Sequence, residues 1–259
     1  MVVADLHVHT TASDGSLTVD ALPAAAREAG LEAVAVTDHD RFHPELDAPV
    51  VDVEGVTVVH GVELRVGSRA GRVDLLGYGV RRTDPLAAEL DRLQADRIER
   101  GRAIVACVED RLGVDLDVDF EQGVGRPHIA RAIADSPADC DYRGAFEGLI
   151  GDACPCYVSR AVPDFERGRA LLAEACGLVA LAHPLRYDDP EATLALTDRL
   201  DGVERFYPYE RAVDTAAVDR AIERYDLVPT GGSDAHDDRL GRAGLDRAAF
   251  RRVRNRLAQ

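Results

Sequence analysis

Histidine, aspartate and glutamate recur in this chain in short clusters, each placed at the end of an apolar run. His7 and His9 close the run VVADL (2–6), and Asp14 follows in TTASDG. Asp38, His39 and Asp40 come directly after AVAVT (33–37), and Glu63 sits at the end of VTVVHGVEL (56–64). His183 follows LVALA (178–182), and Asp234 and His236 lie in TGGSDAH after LVPT (227–230). His128 stands in RPHIA; of the 8 histidines only His43 and His60 fall outside these groups, and His60 reads as structural. Side chains two apart in a strand share a face, about 6–7 Å apart along the chain. His7 and His9 can therefore converge on one ion. Imidazole with carboxylate and no thiolate suits Zn²⁺, Mn²⁺ or Fe²⁺ and argues against a structural zinc site, which usually uses cysteine. The candidates are His7, His9, Asp14, His39, Glu63, His128, His183, Asp234 and His236. They are too many for one ion; two or three ions would use them, with Glu63 as a bridge.

The elements that must position these groups alternate. The apolar runs above read as strands, with VDLLGYGV (73–80) as a fourth and VERF (203–206) before LVPT. Helical patterns fill the gaps: from about 18–20 to Ala29, 164–176, from Asp189-Pro190 to near Gly202, 213–225 and 246–258. Asp84-Pro85, a cap followed by proline in the first turn, opens a long helical period that stops at Gly113, and two shorter helical stretches follow near 127–134 and 142–150. Residues 84–157 thus read as a helical insertion, with 1–83 and 158–259 forming the main domain. Strands alternating with helices predict a parallel sheet. About seven strands, with no Gly-x-Gly-x-x-Gly after the first, favour an α/β barrel over a dinucleotide fold. The candidate ligands then share the C-terminal rim, and His128, in the first turn of an insertion helix, can reach back over it.

Composition narrows the partners. The net charge is −16, and all 31 basic residues are arginine. Such a surface repels itself and predicts adaptation to a salt-rich cytoplasm. It disfavours passive binding of double-stranded DNA. No apolar run is long enough to span a bilayer, and nothing resembles a signal peptide. The 5 cysteines form no Cys-x-x-Cys pair, and their odd number predicts no disulfide framework; Cys154-Pro155-Cys156 reads as small buried residues.

DLHVHTTASDGSLT, AVTDHD, GVEL, AHPLRY and GSDAH resemble the signature blocks of the PHP (polymerase and histidinol phosphatase) superfamily. LLGYG and RPHIA resemble its branch of nucleoside 3′,5′-bisphosphate phosphatases and the exoribonuclease RNase AM. The resemblance implies a distorted seven-stranded (β/α) barrel with a trinuclear site. His7, His9, Glu63 and Asp234 would hold the first ion, Glu63, His128 and His183 the second, and Asp14, His39 and His236 the third. Asp14 stands where some relatives have histidine. Glu63, Asp14 and His39 are the candidate catalytic residues. A hydroxide shared by two ions would attack phosphorus, while Arg186 in AHPLRY, Arg160 in YVSR and Arg126 beside His128 neutralise the phosphoryl oxygens. Asp38 and Asp40 would orient imidazoles, and Tyr207 and Tyr209 either stack on a base or pack. The implied substrate is a small nucleotide such as a 3′,5′-bisphosphate, or the 5′ end of short RNA. A histidinol phosphatase, a metal-dependent C–N hydrolase and a metal-binding module without turnover are the alternatives.

The charge makes one direct prediction. The melting temperature should rise by several degrees between low and molar salt, because screening relieves the self-repulsion. A lower melting temperature in molar salt would refute the salt adaptation.

Overall fold

The computed structural model describes residues 1–258, which form two compact units: residues 1–90 with the chain from Val162 onward, and Asp91–Ala161. The first unit carries eight strands: β1 (Ala4–Val8), β2 (Ala33–Val36), β3 (Val50–Val53), β4 (Val56–Ser68), β5 (Gly71–Tyr78), β6 (Leu178–Leu181), β7 (Gly202–Phe206) and β8 (Val228–Gly231). They form one sheet in the order β1-β2-β4-β5-β6-β7-β8, with β3 paired to β4 alone. The sheet curls, and an isolated bridge joins Val8, the last residue of β1, to Ala235 in the loop after β8. There His9 N–H donates to Ala235 O (2.9 Å) and Ala235 N–H to His7 O (3.2 Å).

The sheet is mixed, not parallel throughout. β5 runs antiparallel to both β4 and β6. The reason lies in the connection: only Arg69 and Ala70 separate β4 from β5. Two residues make a hairpin, whereas a parallel crossover needs a dozen or more. β4 also runs past the expected end at Leu64 to Ser68. Its first half pairs with β2 and its second with β5, so Glu63 lies inside a long strand where the pairing partner changes. β3 was not expected; its four residues pair antiparallel with Val56–Val59 at the edge.

Alternation divides the apolar side chains between the two faces. Ala4, Leu6, Ala33, Ala35, Leu76, Tyr78 and Ala180 pack with Phe250 and Val253 of α8 (Arg247–Leu257). Val8, Val34, Val36 and Val58 pack with Leu22 and Ala26 of α1 (Leu22–Glu28). Leu6 and Val8 thus belong to different faces. The register of β1 on β2 slips between them: Asp5 pairs with Val34 and Val8 with Val36. One extra residue in β1 is a bulge, which re-aims the side chains after it. With Val8 turned toward α1, His7 and His9 point to the other face.

The remaining helices are α2 (Asp84–Leu112), α3 (Arg126–Asp135), α4 (Tyr142–Ala145), α5 (Phe165–Ala175), α6 (Pro190–Leu194) and α7 (Ala216–Tyr225). Aspartate side chains cap four helices: Asp141, Asp164, Asp189 and Asp246 accept the N–H of Gly144, Arg167, Ala192 and Ala249. This satisfies amides that lack partners within the helix. α6 is shorter than its sequence pattern and passes into a 3₁₀ segment at Ala195–Arg199. α2 starts in the first unit and continues in the second, whose core joins Ile104, Val105, Val108, Ile129, Ile133 and Ile150. No described helix is long and apolar enough to cross a membrane.

The cysteines depart from expectation. Cys107 and Cys156 are joined by a disulfide in the second unit, while Cys140, Cys154 and Cys176 are free. An odd count forbids a complete framework but not one pair. The folding of residues 91–161 brings together two cysteines 49 positions apart, which no local spacing reveals.

Two glycines sit directly behind the paired histidines. A Cβ on Gly232 would lie 2.3 Å from His7 N, and one on Gly15 would lie 2.2 Å from His9 O. Gly232→Ala should therefore destabilise the protein by about 1–3 kcal/mol through overpacking, read as a lower urea midpoint. Gly148→Ala, where an added Cβ meets nothing within 4 Å, is the control. Equal midpoints for the two variants would show that His7 is not held by this contact.

Candidate metal centre

Eight of the nine proposed ligands converge at one end of the sheet. His7 and His9 are fully buried, Glu63 is 1% exposed, and His183 and Asp14 are buried beside them. His7 Nε2 lies 3.4 Å from both Glu63 Oε1 and Asp234 Oδ1, and His9 Nε2 lies 3.5 Å from Glu63 Oε2 and 3.2 Å from Asp234 Oδ1. His183 Nε2 approaches Glu63 Oε1 at 3.1 Å, and His39 Nδ1 approaches Glu63 Oε2 at 2.7 Å. Asp14 Oδ1 lies 3.3 Å from His236 Nε2 and 3.8 Å from His39 Nε2. Glu63 thus turns its two oxygens toward different histidines. The rings crowd together: His9 stacks on His236 at 4.2 Å and lies 4.4 Å from His39.

Backbone geometry brings these groups in. The loop after β8 is tied to β1 by buried Asp5, which accepts N–H from His7 (3.3 Å), Ser233 (2.8 Å) and Gly241 (2.8 Å). Asp40, His183 and Asp234 have φ of 52°, 27° and 49°, conformations costly for residues other than glycine and concentrated at functional sites. His183 is held there by its N–H, which donates to Glu204 Oε2 at 2.7 Å.

The ligand chemistry fits divalent cations. His7 Nε2, both ring nitrogens of His9, Glu63 Oε2 and His183 Nδ1 are buried without a hydrogen bond of good geometry. Buried polar atoms of this kind need a partner. Around an ion with bonds of about 2.1 Å, tetrahedral ligand atoms stand about 3.4 Å apart, close to the spacings above. Four sets place their ligand atoms within 4.8 Å of one another: His9, Asp14, His39 and His236; His7, His9 and Glu63; His7, His183 and Asp234; and Glu63, Asp74 and His183.

Electrostatics without a metal shows the same demand for positive charge. Burial alone would raise Glu63, Asp14 and Asp234, yet the surrounding imidazoles hold all three well below the usual carboxylate range. His9 moves the other way: burial and the neighbouring charges of His236 and His39 lower it. Burial opposes the charge on His236, but Asp14 and Asp234 push its pKa up to about 9.

Two residues of the site, Glu204 and Asp74, have no role in the sequence reading, and Tyr207 has a contact beyond the stacking or packing expected of it. Glu204 Oε1 lies 3.1 Å from His7 Nδ1, the carboxylate–imidazole contact that fixes a ligating ring. Asp74 is gripped by a two-bond fork from Arg65 (2.7 and 2.6 Å) and lies 3.8 Å from His183 Nε2. Tyr207 donates its hydroxyl proton to Asp234 Oδ2 at 2.9 Å. The available signal was a lone acid within an apolar strand, Glu in VERF and Asp in VDLL. Asp38 accepts from Thr10 N–H (2.8 Å), Thr10 Oγ1 (2.7 Å) and Ser13 Oγ (2.6 Å), and Asp40 accepts Arg65 N–H (3.1 Å). These bonds fix the loops that carry the two carboxylates. His43 and His60 bond each other, His43 N–H donating to His60 Nε2 (3.1 Å).

Arg186, expected to bind substrate, donates through Nη1 to Asp234 Oδ2 and to the Tyr207 hydroxyl, both at 3.0 Å. His128, Arg126 and Arg160 belong to the second unit. There His128 Nδ1 accepts Gly125 N–H (3.1 Å), and Arg126 pairs with Asp152 (2.6 Å). Burial and the charges of Arg126, Arg160 and Arg97 lower Arg100 to about 9, the mark of crowded guanidiniums.

After exhaustive dialysis against Mn²⁺, Glu63→Gln should lose at least one equivalent of bound metal by elemental analysis. Asp14→Ala should lose only the ion shared with His39 and His236. Unchanged stoichiometry in both would remove these carboxylates from the ligand set.

Comparison with known proteins agrees with this geometry. The PHP domain model matches residues 5–123. A phosphoribosyl 1,2-cyclic phosphate 1,2-diphosphodiesterase of Eggerthella lenta is 32% identical over 250 residues, covering 91% of this chain and 94% of its own. A 3′,5′-nucleoside bisphosphate phosphatase of Chromobacterium violaceum is 33% identical over 198 residues, covering 73% and 69%. The fold matches that of a Bifidobacterium adolescentis protein assigned as a metal-dependent phosphoesterase, with a TM-score of 0.80, 23% identity and coverage of 98% and 96%. With a ligand cluster of this kind and relatives of this similarity over most of its length, the chain belongs to the PHP family, as one of its phosphoesterases.

Proposed function

We propose that this enzyme removes a phosphate from a small nucleotide, a nucleoside 3′,5′-bisphosphate or the 5′ end of short RNA, using two or three divalent ions, Mn²⁺, Zn²⁺ or Fe²⁺. The observation that carries the reading is the convergence of His7, His9, His39 and His183 on the two oxygens of buried Glu63. Bound there, the ions supply an acidic water near neutral pH and positive charge for the phosphoryl oxygens. The chain supplies the placement. Glu63 joins neighbouring positions, and Asp14 and His39 with His236 define a further one. Glu204 fixes the His7 ring, while Arg186 and Tyr207 hold the outer oxygen of Asp234. The role of His128 as a ligand rests on the sequence resemblance, and those of Arg126 and Arg160 as phosphate contacts rest on their place in the sequence, beside His128 and in YVSR. The net charge of −16 supports a salt-rich cytoplasm as the place of work.

The similarity to the Eggerthella lenta enzyme extends over nearly the whole chain and favours a cyclic ribose phosphate as the second reading. Phosphate release or ring opening should be compared for adenosine 3′,5′-bisphosphate, a ribose 1,2-cyclic phosphate, histidinol phosphate and short 5′-phosphorylated RNA, in Mn²⁺ at high salt. Adenosine 3′,5′-bisphosphate should give a kcat/KM at least about tenfold above histidinol phosphate, a difference of about 1.4 kcal/mol in transition-state binding. No turnover of any phosphate ester with Mn²⁺, Zn²⁺ or Fe²⁺ would overturn the proposal.

A further inference from the structure

A cleft of about 710 Å³ opens beside Asp234, within the range of about 300–1,000 Å³ usual for small-molecule sites. Its walls include Arg186, Tyr207, Tyr209, Arg211, Asp234 and Arg242. Three guanidiniums in one cleft are unexpected on a chain of net charge −16. Arg186 spends a single terminal nitrogen, Nη1, on Asp234 and Tyr207. Arg211 is steadied by Nη2 donating to Leu185 O at 3.1 Å. Arg242 stands 3.6 Å from Asp237, with both side chains at least 40% exposed, an ion pair too long and too wet to occupy it. Glu210 also lines the cleft; its carboxylate is exposed, so solvent screens its charge. Tyr207 and Tyr209 add a polarisable wall, their rings 4.8 Å apart and tilted by 55°. Tyr209 is fixed by its hydroxyl, which accepts Leu185 N–H at 3.2 Å.

We propose that this cleft binds the second, non-reacting phosphate of the substrate, with Arg211 and Arg242 as the residues that set specificity for a bisphosphate. The inference rests on the phosphoesterase reading and names the substrate class within it. Guanidinium forks match phosphate oxygens in pairs. The cleft begins at a carboxylate of the metal centre, so a substrate with one phosphate at that centre can reach the arginines with the other. The tyrosine wall of the same cleft suits the sugar or base that joins the two phosphates. A monophosphate leaves the arginines unused.

The test compares wild type with Arg211→Ala, Arg242→Ala and the double variant, loaded with Mn²⁺ at fixed ionic strength. The ratio of kcat/KM for adenosine 3′,5′-bisphosphate over p-nitrophenyl phosphate should fall about tenfold or more, the scale of a lost hydrogen bond to a charged group. Arg251→Ala, on the exposed side of α8, removes the same charge elsewhere and should leave the ratio in place. Calorimetric affinity for adenosine 3′,5′-bisphosphate should weaken by a similar factor in the cleft variants, relative to that for 3′-AMP. Arg211→Lys should restore part of the loss. An unchanged ratio and affinity, or an equal loss in Arg251→Ala, would overturn the inference. Absence of turnover in every protein would instead count against the phosphoesterase reading, and the calorimetric comparison still decides the role of the cleft.

Discussion

Burying Glu63, Asp234 and Asp14 among histidines at one end of a sheet takes several charges and ring nitrogens out of water at once. Desolvation of that kind costs several kcal/mol per ion unless opposite charge is supplied. The imidazoles supply part of it, as the depressed carboxylates show. They cannot complete the task, because His9, His39 and His236 repel one another when charged. Divalent ions answer both halves: they neutralise the carboxylates and accept lone pairs from neutral rings. The rest of the first unit serves to hold these mutually unfavourable groups within bonding distance of common points.

The scaffold does this with backbone devices more than with side-chain packing. A bulge in β1 re-aims two histidines. A strand that changes partner presents Glu63, and glycines behind His7 and His9 let neighbouring loops press close. Left-handed backbone at His183 and Asp234 turns each side chain back over the rim. Such conformations persist where surrounding bonds over-determine them. Asp5 and Glu204 supply those bonds from the strand side, accepting amide protons from His7, Ser233, Gly241 and His183.

Asp234, a candidate ligand, links the centre to its surroundings. One of its oxygens faces His7 and His9, and the other is held by Arg186 and Tyr207. These holders also line the arginine-rich cleft. Contacts that fix this candidate ligand and contacts that would read the substrate therefore meet in one cleft, built from the loops after β6, β7 and β8.

The sequence by itself determined the chemistry: which residue types cluster, in what order, and at the ends of which apolar runs. Those signals are local, since a strand's period and a histidine two positions away from another are visible within ten residues. The boundaries of α2 and α5 were legible for the same reason, through proline, aspartate and glycine punctuation. Only tertiary structure decided the direction of β5, the pairing of β3, the bond between Cys107 and Cys156, and the service of Glu204 and Asp74 beside the ligands. The disulfide, Glu204 and Asp74 depend on partners far away in sequence, whereas β3 and β5 turn back on β4 through two-residue connections that the strand pattern alone does not orient. A lone acid in VERF or VDLL is indistinguishable from any solvated charge until the sheet closes and removes the water around it.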